Sequence, residues 1–553
     1  MNSKKVIVIG IDGGTFDVIL PMINRGELPT LASLIKEGVR GELQSTIPTN
    51  TGPAWVSMMT GVNPGKHGIF FFLGNRHHNY MCQRTLGSTD IKFPPLWSIL
   101  SRNMKKVIFV NVPFTYPPIE VNGVLVSGML IPRSAKEVSY PPNIYPDLVR
   151  RLGGYEINDW QFEVIGATRS TAHLYYDKII KLLSESIEDR KKGTIALLEE
   201  NDWDFSMVVF TAIDRLQHLF WKFLNPTNCN GDHLSKYRNA IYDGYRQLDN
   251  AIGEILEKAG RDITVMIVSD HGFGPSKKDF FVNKWLEEIG LLKVNKFLTR
   301  KKLIFKSTNL QRILARISPT TKTPNWTEKI PIFLPWSVTR GKDEMINWEK
   351  TKAYADEFGI NINLRGREPY GIVNPGRESE ELLTFIQEQF YQLVDESESQ
   401  EKIADWILRK EEIFSGRFMG EATDLYLSVK NESYLLNAGI GAKDKFGKSL
   451  VLVGTGIHRM KGIFIMTGPL CSNCDSVKAR IIDITPTILY LMGLPVLEEM
   501  DGRVLEDIMD PAYLKLNPIK RITSWGYGGE SSPYSSEDEE KIKKDLKGLG
   551  YLS

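Results

Sequence analysis

Short, nearly unbroken apolar runs alternate along the chain with longer amphipathic stretches, and this alternation sets the expected secondary structure. The runs at 5–11, 106–112, 205–212, 263–269 and 462–466 are almost wholly apolar, as strands covered on both faces require. They are predicted strands. Between them, 171–200 and 236–259 carry helical patterns, the second closed by Gly260 at a C-cap position. Each strand ends in a Gly, Asp or Pro cluster ahead of a helix-length segment, the βαβ rhythm of a mostly parallel sheet. The expected fold class is α/β.

One stretch breaks the rhythm. Residues 291–342 hold twelve Lys or Arg against the single acid Glu328, so +11 lies there and, with +2 for the whole chain, −9 lies on the rest. Such a segment serves either as a solvated surface excursion or as a basic cap that draws an anionic substrate or an anionic lipid surface toward a site. A second break comes at the end, where a Gly-, Ser- and Tyr-rich stretch precedes Ser536-Glu-Asp-Glu539, a capping box opening a charged helix to about residue 547. Its Ile542, Leu546 and Leu549 stripe predicts docking onto the body. The expected organisation is a first core part at 1–290, the basic insertion or cap at 291–342, a second core part at 343–525, and a linker with helix at 526–553.

With 553 residues the chain exceeds the roughly 250–300 at which one core stops growing. Its 42% hydrophobic and 25% charged residues exclude wholesale disorder. A net charge of +2 gives no polycation for tracking nucleic acid, which is not an expected partner. No run approaches the ~20 apolar residues of a membrane helix, and the first residues lack a signal-type apolar region, so a soluble, cytoplasmic protein is expected. Four cysteines are too few for a disulfide framework, and Cys471-Ser-Asn-Cys474 lacks a second pair to complete a zinc site. Nothing in the sequence sets the oligomeric state.

The chemistry sits at strand ends, where α/β sheets place their ligands. The first strand ends in Ile11-Asp12-Gly-Gly. An aspartate there more often caps a helix or forms a turn, so Asp12 needs partners. Residues 47–55 lead into a predicted helix at 53–60, and Thr51 lies at its start, where an anion is favoured. Thr51 serves there either as an N-cap or as a nucleophile, and the second role needs a metal because a free hydroxyl is scarcely ionised at pH 7. After the third strand, Asp214 and His218 share a face if a helix begins there, four residues apart. After the next comes Asp270-His271-Gly, and His458 precedes the last strand. Three histidines and three aspartates near strand ends form a metal-site inventory. Nitrogen and oxygen donors without thiolate suit Zn²⁺, Mn²⁺ or Fe, with Zn²⁺ first and Mn²⁺ second. Two divalent ions against three carboxylates leave a surplus of +1, which favours phosphoryl chemistry.

The order of motifs carries more than any one of them. Asp12-Gly-Gly is followed by Pro48-Thr-Asn-Thr51 and Thr60-Gly-Val-Asn-Pro-Gly-Lys-His67-Gly-Ile69, then by Asp214 and His218, Asp270-His271-Gly and His458. In this the chain resembles the alkaline phosphatase superfamily, specifically its type I phosphodiesterase/nucleotide pyrophosphatase branch, across about residues 4–505. Asp483-Ile-Thr-Pro-Thr-Ile-Leu, Gly493-Leu-Pro and Met500-Asp-Gly-Arg look like that superfamily's closing segment. The resemblance implies a three-layer α/β/α sandwich and one metal held by Asp214, His218 and His458. It implies a second metal held by Asp12, Asp270, His271 and the Thr51 oxygen, with Thr51 attacking phosphorus to form a phosphothreonine. The expected activity is hydrolysis of a small anionic phosphate ester. A phosphomutase with the same site and an inactive phospho-ligand-binding relative are the alternatives.

Overall fold

The computed structural model describes residues 5–74, 84–132, 134–158, 173–225, 235–295, 345–398, 401–447, 455–472, 476–524 and 536–548. Its centre is a nine-stranded sheet. From edge to edge the strands are Val477–Arg480, Val39–Gln44, Lys461–Thr467, Thr264–Val268, Val6–Ile11, Phe205–Phe210, Val107–Pro113, Gly123–Gly128 and Ser139–Tyr140. The five from Thr264–Val268 to Gly123–Gly128 run parallel. Lys461–Thr467 is antiparallel to both its neighbours. All five predicted strands are present, with ends shifted by one or two residues.

Their apolar runs feed two cores, because successive side chains on a strand point to opposite faces. Val6, Val8, Phe205, Met207 and Val209 enter one core with the helices Thr51–Thr60, Leu96–Arg102 and Ile484–Leu491. Ile7, Ile9, Ile11, Val208 and Phe210 enter the other with Phe16–Asn24, His173–Glu200, Ala212–Phe220 and Ala240–Ala259. This is the expected three-layer sandwich. The helix Ser536–Gly548 docks on the first core through Ile542 and Leu546, both buried, and each such side chain contributes about 1.5–3 kcal/mol. Leu549 lies outside the described residues.

Between Phe280 and Ile440 the apolar side chains close around a centre of their own. There Ala353–Ala355, Gly359–Ile362, Leu425–Val429 and Ala404–Arg409 form an antiparallel four-stranded sheet, accompanied by the helix Arg377–Phe390. The chain rejoins the central sheet at Lys461–Thr467. The basic segment 291–342 lies outside the described residues beyond Asn295, as does the linker 525–535. Among the described residues no helix is long and apolar enough to cross a membrane.

Candidate active site

Parallel strands deliver their carboxyl ends to one side of the sheet, and three acids emerge there. Asp12 directly follows Val6–Ile11, Asp270 lies just past Thr264–Val268, and Asp214 lies in the first turn of Ala212–Phe220, the helix after Phe205–Phe210. Gly13 turns the chain with φ of 68°, and a Cβ on it would stand 3.1 Å from Phe273 and 3.3 Å from the Asp214 backbone. That turn lets Gly13 N–H donate to Asp270 Oδ1 at 3.2 Å. The helix at Asp214 has begun, so His218 shares its face and the two approach to 3.5 Å. His458 sits on Gly456–Arg459, a short strand not predicted, which pairs antiparallel with Gly272–Pro275. This strand pair stacks the His458 ring on His271 with centroids 3.7 Å apart.

The threonine helix starts two residues earlier than predicted, and this bears on Thr51. The N-cap is Asn50, whose side chain accepts Gly52 N–H, so Thr51 is the first helical residue and is not the cap. Its hydroxyl is 3.3 Å from His271 Nε2.

All seven residues named from the sequence therefore meet in one cluster. His271 Nε2 is 3.2 Å from Asp270 Oδ2 and 3.8 Å from Asp12 Oδ1. His458 Nε2 is 3.3 Å from Asp214 Oδ1 and 3.0 Å from His218 Nε2. Donor atoms of Asp214, His271 and His458 lie within 4.8 Å of one another, as do those of Asp12, Asp270 and His271. His271 is thus common to both groups.

Each of the three imidazoles has Nδ1 at 3.1 Å from a backbone carbonyl: Gly456 for His218, Gly272 for His271 and Thr49 for His458. A carbonyl oxygen only accepts, so Nδ1 carries the proton. Burial lowers the pKa of His218 to about 4 and that of His271 well below its ordinary value, so both rings are neutral at pH 7 with Nε2 unprotonated. Around them Asp12 Oδ1 and Asp270 Oδ2 are buried and accept no hydrogen bond. Imidazole lone pairs and carboxylate oxygens converge there, and such a donor set calls for a cation.

The electrostatics agree. Burial, then Asp270 and Asp214, push the Asp12 carboxyl well above its usual range, and burial with Asp214 does the same to Asp270. Burial works against ionised Asp214 too, but His218, His458 and Arg215 outweigh it and hold the carboxyl low. Asp12, Thr51, Asp214, Asp270 and His271 are wholly buried, whereas the His218 and His458 side chains keep 8% and 11% of their surface, so the cluster opens on their side.

Several supporting groups carry no local sequence signal. Trp55 Nε1 donates to Asp12 Oδ2 at 3.3 Å, one helical turn past Thr51. Gln217 Nε2 holds Gly13 O at 2.7 Å, and buried Arg215 lies 3.6 Å from Asp214. Arg215 and Gln217 stand inside the Asp214 to His218 motif, where a buried helix face would have marked them.

Comparison with known proteins adds to this geometry. Phosphonoacetate hydrolase from Sinorhizobium meliloti in complex with phosphonoformate is 15% identical, covering 89% of this chain and 95% of that one with a TM-score of 0.54. Its phosphonoacetate complex gives 16% identity over 89% and 95%, with a TM-score of 0.52. An inactive variant of murine ectonucleotide pyrophosphatase/phosphodiesterase 5 in complex with AMP is 12% identical over 92% and 100%, with a TM-score of 0.50. These likenesses establish an alkaline-phosphatase-like fold. No curated protein matches the sequence. Residues 6–449 match the type I phosphodiesterase/nucleotide pyrophosphatase family. The chain therefore belongs to that family of metal-dependent phosphoric-ester hydrolases in the alkaline phosphatase superfamily.

Proposed function

We propose that this enzyme hydrolyses a small anionic phosphate ester through a phosphothreonine at Thr51, with two divalent cations held by the cluster. Asp214, His218 and His458 would hold one, and Asp12, Asp270, His271 and the Thr51 oxygen the other. The observation that carries this reading is His271, whose bare Nε2 faces Thr51, Asp270 and Asp12 at 3.3, 3.2 and 3.8 Å. Mixed nitrogen and oxygen donors without thiolate favour Zn²⁺, then Mn²⁺. When bound, such cations make a hydroxyl ionisable near neutral pH and stabilise developing oxyanions.

The chain's own groups do the rest. Thr51 Oγ1, 3.3 Å from His271 Nε2, gives up its proton to solvent and forms a new O–P bond as the substrate's ester O–P bond breaks, and the leaving oxygen takes a proton from solvent. Water then breaks the Thr51–phosphate bond and restores the hydroxyl. The N-terminal end of the helix Thr51–Thr60 favours the negative charge that gathers there. Trp55 and Gly13 hold the Asp12 and Asp270 carboxylates, so little reorganises during the reaction.

Thr51→Ala should lower turnover of a chromogenic phosphate ester by at least about 10³-fold while metal content stays at the wild-type level. Retained turnover would remove Thr51 from the chemistry.

A further inference from the structure

The strand carrying His458 is fixed from outside the central sheet, by a turn of the second one. Lys430, Asn431 and Glu432 follow Leu425–Val429 with φ of 54°, 54° and 59°. Three successive non-glycine residues in the left-handed region are rare, because each brings Cβ against a carbonyl oxygen. Asp405 holds them there. Its Oδ1 accepts Asn431 N–H at 2.9 Å, and its Oδ2 accepts Glu432 N–H at 3.2 Å and the Ser428 hydroxyl at 2.8 Å.

The turn presents Glu432 to the His458 strand twice. Glu432 Oε2 accepts Met460 N–H at 2.9 Å, and the Glu432 carbonyl accepts from the Arg459 guanidinium. The same guanidinium donates to His458 O at 3.1 Å and to Pro275 O at 2.6 Å, clamping both strands of this long-range pair. The neighbouring Ser433 carbonyl accepts Lys277 N–H at 2.9 Å. Since the His458 ring stacks on His271 and faces Asp214 and His218, a shift of this strand changes all three approaches together.

We infer that Asp405 and Glu432 are positioning residues for His458: Asp405 holds a strained turn in place, and Glu432 uses it to set the register of the His458 strand. They touch neither the cluster nor the substrate. The inference rests on the metal reading given above.

The test is titration of the full chain with Mn²⁺ alone, in wild type, Asp405→Ala, Glu432→Ala and Glu432→Gln, with thermal unfolding of each. Both alanine variants should bind Mn²⁺ about tenfold more weakly. Glu432→Gln should bind like wild type, because its amide oxygen still accepts Met460 N–H. Adding Asn431→Gly to Asp405→Ala should recover part of the loss, since glycine takes positive φ freely. Wild-type affinity in both alanine variants overturns the inference alone. So does a loss that Glu432→Gln shares and Asn431→Gly leaves unrelieved. A wild type that binds no Mn²⁺ overturns the metal reading and the inference with it.

Discussion

Two buried acidic groups in this molecule are built in opposite ways. In the second sheet Asp424 is closed off by the chain itself: Arg367 donates to both its oxygens at 2.7 and 2.6 Å, Lys410 at 2.8 Å and Ile362 N–H at 2.8 Å. Burial disfavours its charge, yet Arg367 and Lys410 outweigh that and hold the carboxyl well below the usual range. At the central sheet Asp12 and Asp270 are equally buried, but each keeps one oxygen without a hydrogen bond and both carboxyls are driven upward. The sequence supplies many lysines and arginines, so the shortage is local. A buried acid closed by its own cations is a structural element, whereas a buried acid left short of positive charge is a place for a ligand.

Breaking the closed group should give the largest change in stability. Arg367→Met leaves Asp424 without its bidentate partner and should cost about 3–5 kcal/mol in thermal or urea unfolding, with metal content unaltered. A metal loss matching the stability loss would show that the two regions are not separable in this way.

Histidine protonation sharpens the contrast. His67 is buried, but its Nδ1 accepts Ile69 N–H at 3.1 Å and its Nε2 meets the Ser57 hydroxyl at 2.8 Å, so both nitrogens are satisfied within the chain. Burial lowers its pKa to about 3. Between that value and the ordinary 6.5 the unfolded chain binds more protons than the folded one. Stability from this group is therefore full above pH 6.5 and falls as the pH drops toward 3. From pH 6.5 to 5 the loss should be about 2 kcal/mol. His67→Gln should flatten that part of the stability curve, and an unchanged slope would contradict the assignment.

The smallest change has the opposite sign. In metal-free protein Asp270→Asn removes an uncompensated buried acid and lets an amide N–H donate to His271 Nε2. It should raise stability by about 1 kcal/mol while weakening metal binding. A destabilised metal-free variant would argue against the shortage of positive charge.

The contrast also explains what was legible in the sequence. The central strands are covered on both faces, so 5–11 and 205–212 read as unbroken apolar runs, and each acid at a strand end could be placed before any coordinates. The four strands of the second sheet have three to six residues each, too short for periodicity to separate them from loop. Gly456–Arg459 is similarly short, and its pairing with Gly272–Pro275 is a long-range contact that no local pattern announces. The helix start at Thr51 depended on which of two adjacent cap-forming residues, Asn50 or Thr51, took the cap. Nothing local marks Arg215 as a buried partner of Asp214, because its burial comes from packing.

Metal analysis of the full chain, equilibrated with Zn²⁺ or Mn²⁺ and freed of loosely bound ions, tests the central claim most directly. The expected result is two ions per chain in wild type and fewer in His458→Ala. A wild type that retains none, or a His458→Ala variant as fully loaded as wild type, would contradict the account.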